Sequence, residues 1–201
     1  MMLTTKILRN FPFTKNIEFH HPSNVVGSRN FYKWLIIMFN GVNKKRVDEV
    51  GPDRACAEWL LKNGASIKWL GCADYLRDYN SLPKEDVNVK LCIEAVDATD
   101  SAIHHIGFQH FSGCKHVEKI KLVRCSYIEN EALSLLSIIK DSLIHLEVVE
   151  CKNITDEALA DLKNLTHLKT LKLGGMPYVK DKSRILQELT AALPNCKIIY
   201  M

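Results

Sequence analysis

The chain has 201 residues, 47% of them hydrophobic and 25% charged, with 27 Lys and Arg against 23 Asp and Glu for a net charge of +4. That length holds one core or two small ones, and the mild charge excludes a general nucleic-acid footprint. No apolar run reaches the 18 or so residues of a membrane span, and the cluster WLIIMF at 34–39 covers only six.

Residues 1–29 are basic, poor in acids and set with bulky apolar side chains (Leu3, Ile7, Leu8, Phe11, Phe13). The first 33 residues carry Lys6, Arg9, Lys15, Arg29 and Lys33 against Glu18 alone. This is the composition of a mitochondrial presequence, so a targeting peptide is expected there. Residues 30–90 predict a small helical capping domain. The first helix is short and aromatic, over 31–39; a better one covers 52–62, with Pro52 in its first turn and Asn63-Gly64 as its stop. Ala55, Trp59 and Leu60 are expected on its buried face. Ile67-Lys68-Trp69 reads as a strand, and 78–83 as a connecting loop.

Residues 91–201 repeat. Ile120-Lys-Leu122-Val-Arg-Cys125-Ser-Tyr-Ile128 returns 26 positions later as Leu146-Glu-Val148-Val-Glu-Cys151-Lys-Asn-Ile154, and again 25 further on from Leu171 to Val179. A degenerate copy precedes them, with Val96, Thr99 and Ala102 in the same slots but Glu94 where the others have Ile or Leu. A period of 20–29 residues with this L-x-L-x-x-C/N-x-x-I/L spacing is the leucine-rich-repeat signature. The predicted fold class is α/β: a short leucine-rich-repeat solenoid of about four repeats behind an N-terminal helical cap. Alternation sends Ile120/Leu122, Leu146/Val148 and Leu171/Leu173 inward. Helices follow at 130–139 and 155–162, the latter with Thr155 as a candidate N-cap. Lys197-Ile-Ile-Tyr200 is expected to close the array as a strand.

The architecture favours binding over catalysis. Seven cysteines form no C-x-x-C pair, so neither a zinc spacing nor a disulfide framework is expected. Cys125 and Cys151 occupy equivalent turns and read as packing residues. His104 and His105 lack an acidic partner at ligand spacing, no G-x-S-x-G is present, and Gly174-Gly175 is followed by no G-K-[ST]. The outward strand positions are Lys119, Lys121, His145, Glu147, Thr170 and Lys172. They form a face for an acidic or mixed-charge protein segment, with Lys119, Lys121 and Lys172 as the expected partner contacts and Arg54 and Trp59 serving the cap.

A series of motifs carries a resemblance. Val50-Gly51-Pro52-Asp53-Arg54-Ala55, Glu58-Trp59-Leu60-Leu61 and Gly64-Ala65 resemble the mitochondrial ATP synthase subunit s (coupling factor B) family. Asp78-Tyr79-Asn80-x-Leu82-Pro83, Asp97-Ala98-Thr99-Asp100-Ser101, Ile106-Gly107-Phe108 and Val117-Glu118-Lys119-Ile120 continue it in order, over about residues 31–197. The resemblance implies a non-enzymatic, peripheral protein on the matrix side of the mitochondrial inner membrane. It would associate with membrane-sector subunits of ATP synthase and support proton-coupled ATP synthesis by preventing proton leak. It also implies a magnesium ion at the positions matching Gly64 and Thr99, with Asp97 and Asp100 helping through water. The related assembly factor of the complex I distal membrane arm has similar repeats, which makes a respiratory-complex assembly adaptor the alternative. Neither nucleic acid nor a small-molecule substrate is implied.

Overall fold

The computed structural model describes residues 31, 34, 35, 38–84 and 91–201. The segment expected to target the chain, residues 1–29, lies outside the described residues. Of the helix expected at 31–39, residues 31, 34, 35, 38 and 39 are described, and these are helical.

Two further helices follow, α1 (Lys44–Val50) and α2 (Pro52–Lys62). Asn43 caps α1 by accepting the Arg46 amide at 3.2 Å. Gly51, at φ 82°, makes the corner that lets Pro52 open α2, where the missing proline N–H costs nothing. The helix is buried on more than the single face expected: Ala55 to Leu61 are all enclosed, Glu58 among them at 4% exposure. A buried carboxylate is tolerable only when paired. Arg46 grips Glu58 with Nε at 3.0 Å and Nη2 at 2.6 Å, and Arg54 adds a third bond at 3.3 Å. Burial opposes the charged form, but those two guanidinium groups outweigh it and hold the Glu58 carboxyl below its usual range. Trp59 stacks on His110 (5.1 Å, 6° between planes) between the edges of Phe108 and Phe111, and its Nε1 donates to Asn40 Oδ1 at 3.0 Å.

Six strands form one sheet in chain order: β1 (Ser66–Trp69), β2 (Ile93–Asp97), β3 (Lys119–Val123), β4 (His145–Val149), β5 (Thr170–Gly174) and β6 (Lys197–Tyr200). The fold is therefore mixed α/β. β1 pairs antiparallel with β2; every later pair is parallel. Parallel neighbours require a crossover, supplied by the 3₁₀ segment His105–Phe111, then α3 (Asn130–Leu135), α4 (Asp156–Asp161) and α5 (Lys182–Ala192). α3 and α4 each run on into 3₁₀ turns, Leu136–Ile139 and Leu162–Asn164. Register sets Ile120, Leu146, Leu171 and Ile198 in one row and Leu122, Val148, Leu173 and Tyr200 in the next. The first row is enclosed up to Leu171 and the second up to Leu173, in one continuous core that also takes in Trp59, Phe108 and Phe111.

Two expectations change in three dimensions. Glu94 falls in an inward slot of the repeat, yet Trp69 pairs with Ile93 and Lys68 with Ala95, leaving Glu94 as the extra residue of a bulge. Ile93 is fully buried, while Glu94 forms an ion pair with Lys68 at 2.8 Å. Thr155 stands at the N-cap of α4 but does not cap it. Its hydroxyl accepts from Asn130 Nδ2 at 2.8 Å, and its amide donates to Asn130 Oδ1 at 3.0 Å, tying two units together.

The strand exits share one conformation. Asp100, Arg124 and Glu150 all have positive φ (58°, 53°, 55°), as does Gly175 at 64°. Left-handed backbone costs a non-glycine residue roughly 1–2 kcal/mol. Here it turns each amide onto the next strand's last carbonyl: Asp100 to Val123, Arg124 to Val149 and Glu150 to Gly174, each at 2.9 Å. Below these turns the Cys125 thiol donates to Ala98 O at 2.9 Å and Cys151 to Leu122 O at 3.4 Å. Both are free and buried, and Cys151 together with burial pushes the Cys125 thiol up.

Candidate functional site

The outward face of the sheet is an ordered array of charge. Cross-strand register places Asp97, Lys121, Glu147 and Lys172 side by side in one row, alternating in sign. Lys121 Nζ lies 3.6 Å from Asp97, and Lys172 Nζ lies 3.5 Å from Glu147. The adjacent row is Lys119, His145, Thr170 and Lys197, with no acid among them. Lys119 makes no ion pair among the described residues, although its charge reaches Glu94 and lowers that carboxyl, after the direct bond from Lys68. Burial, then Lys119 and Lys169, hold the His145 imidazole below its usual pKa, which favours its neutral form. Tyr75 lines a groove of about 350 Å³ on this face together with Lys119, Lys121, His145, Glu147 and Lys172.

The three lysines singled out from sequence thus share one surface, but they are not equivalent. Lys121 and Lys172 are internally paired; Lys119 is available. Lys197 and Tyr75 complete the face and escape the repeat pattern: Lys197 opens the closing strand, and Tyr75 lies outside the repeats altogether. Fixed charged groups in register on a sheet are the chemistry by which a repeat surface can recognise an extended segment.

The residues matched to a magnesium site are brought together, though not as ligands. Gly64, at φ 83°, ends α2 by donating to Leu61 O at 3.1 Å, and Asn63 O accepts the Ala102 amide at 2.8 Å, placing the 97–102 turn alongside. In that turn Asp97 Oδ1 accepts both the Thr99 amide, at 3.0 Å, and the Thr99 hydroxyl, while its other oxygen faces Lys121. Asp100 is held by Arg124 through bonds of 2.7 and 2.6 Å. Burial opposes ionisation of Asp97, but Thr99 and Lys121 lower its pKa overall; Arg124 lowers that of Asp100. Magnesium takes a near-octahedral oxygen set at ~2.0–2.1 Å. Gly64 has no side chain, Thr99 directs its hydroxyl proton to Asp97, and both carboxylates have cationic partners. This donor set does not fit the ion.

The histidine pair is where spacing along the chain misleads. His105 meets Glu129 and Glu131, and the three offer ligand atoms all within 4.8 Å of one another. The acids are 24 and 26 positions away. That is one repeat period, so the stacking of units supplies the partners that no local spacing could.

These features define a class: a mixed α/β protein of stacked strand–helix units, sealed at one end by helices and presenting an open, charge-patterned sheet face. The chain is 41% identical to the mitochondrial ATP synthase subunit s of Rattus norvegicus, across 98% of both proteins. It is 42% identical to that of Homo sapiens across 85% of this chain and 86% of the human one, and 39% identical to that of Bos taurus across 98% of each. No family model matches. The chain belongs to the mitochondrial ATP synthase subunit s family.

Proposed function

We propose that this chain is a non-catalytic accessory subunit of mitochondrial ATP synthase, held peripherally on the matrix side of the inner membrane. It supports coupling there by closing a proton leak at the membrane sector. The observation that carries the reading is the sheet face, taken with the names of the relatives. The Asp97-Lys121-Glu147-Lys172 row sums to zero, whereas Lys119 and Lys197 leave a net positive second row. An extended partner segment with excess acid complements that pattern, and such rim charges govern encounter rate and register more than affinity. We read the strand–helix units as leucine-rich repeats in a short solenoid, the architecture that presents such a face, and residues 1–29 as a cleaved presequence. Among the described residues no helix is long and apolar enough to cross a membrane, which agrees with peripheral attachment.

The test is native complex profiling of mitochondria that carry the tagged chain, alongside the triple variant Lys119→Glu, Lys121→Glu, Lys172→Glu. Exposed ion pairs are worth ~0.2–1 kcal/mol each, so the variant should still fold. The wild type should migrate with assembled ATP synthase, and the variant should be released. Migration only with complex I assembly intermediates would refute the proposal, and full retention of a folded triple variant would refute the choice of face.

A further inference from the structure

We propose that His105, Glu129 and Glu131 form a binding site for a divalent transition ion of the zinc class, on the seam between the 3₁₀ segment His105–Phe111 and α3. The ligand atoms lie within 4.8 Å of one another. His105 Nδ1 is buried without a hydrogen-bond partner and faces Glu129 Oε2 at 4.0 Å. That separation is too long for a hydrogen bond. Zinc bonds of ~2.0–2.2 Å in tetrahedral geometry set two donors about 3.4 Å apart, so a small side-chain adjustment closes the site. An ion there would satisfy the one polar atom the protein leaves unsatisfied at this place.

The site is held from both sides. Glu129 is the extended N-cap of α3 (φ −123°, ψ −177°) and Glu131 lies in its first turn, so both carboxylates stand at the same end of the helix. Between them Asn130 is fastened to Thr155 by two hydrogen bonds, which fixes the backbone carrying both carboxylates. On the other side the His104 ring packs 4.0 Å from that of His105. His104 is itself anchored: its Nδ1 accepts the Ile106 amide at 3.3 Å, and its own amide donates to Asn40 Oδ1 at 3.1 Å. Imidazole with two carboxylates balances a dication, suits zinc-class ions and is wrong for magnesium, which takes oxygen only. The glutamates are exposed, leaving a path for the ion and room for water ligands. A bound ion would link the cap-side segment to the unit behind it.

The experiment is calorimetric titration of the full chain with Zn²⁺, with thermal melts in parallel. Cys72, the exposed cysteine among the described residues, is replaced by Ser to remove a competing thiolate. We expect a site of one equivalent, a melting temperature raised by several degrees, and neither effect with Mg²⁺. His105→Ala and Glu131→Gln should each weaken that site by about 100-fold, since losing a ligand costs no less than losing an outer-shell partner. Zinc binding absent from the parent, or present with undiminished affinity in Glu131→Gln, would overturn the proposal. Glu131→Gln decides alone if His105→Ala fails to fold, because Glu131 is exposed and the change is isosteric.

Discussion

Gly107 lies where the cap meets the sheet layer, and replacing it with Ala tests how that junction is packed. A Cβ at this position would sit 2.3 Å from both Cε2 and Cζ2 of Trp59 and 2.5 Å from its Nε1. Carbon atoms rest at about 3.5–4 Å, so ring and methyl must separate by more than an ångström. Trp59 has little freedom to give it. The ring is 3% exposed, lies flat against His110, is edged by Phe108 and Phe111, and is fastened to Asn40 through Nε1. Overpacking usually costs ~1–3 kcal/mol, and a rigid aromatic sandwich belongs at the top of that range. About 3 kcal/mol corresponds to a fall of roughly 6–12 °C in Tm for a chain of this size. Urea unfolding gives the free energy directly. Trp59→Leu is itself destabilising but vacates the space, so the double variant should be more stable than the sum of the two single effects, by about 2 kcal/mol. A Gly107→Ala protein melting within a degree of wild type, or strict additivity in the double variant, would refute this account of the junction.

Leu122→Asp places a charge in a site 1% exposed, with no partner, and should leave the chain unfolded or aggregated; a cooperative melt and a native-like circular dichroism spectrum would show that the inward register is misassigned. Burial lowers the pKa of both His104 and His110, and for His104 the neighbouring His105 adds to it. Folding therefore favours their neutral forms. Stability should be full above the unfolded value of ~6.5 and decline as pH falls from there through the depressed folded values. Melts at pH 7.5 and 5.5 check this, and His110→Phe, which keeps the stack on Trp59, should flatten the slope. Magnesium titrated into the chain should give no heat that is lost in an Asp97→Ala, Asp100→Ala variant, because those carboxylates already bind Thr99, Lys121 and Arg124.

The repeat period and its alternation determined a large part of this molecule. Ile120/Leu122, Leu146/Val148 and Leu171/Leu173 could only be inward, and Lys119, Lys121 and Lys172 only outward, because a strand's side chains alternate faces and one face must be buried. Pro52 and Asn63-Gly64 likewise bounded α2, since their backbone preferences act within a few residues. What linear reading lacked was every relation between units. The bulge that replaces Glu94 with Ile93 depends on the antiparallel pairing of β1, and the role of Thr155 depends on Asn130 one unit earlier. The pairing of Lys121 and Lys172, the occupation of Asp97 and Asp100, and the meeting of His105 with Glu129 and Glu131 depend on which rows the sheet register aligns. Those are contacts across about 25 residues of sequence. Period and propensity are local properties; the distances that turn side chains into pairs, caps or ligands are set only when the units stack.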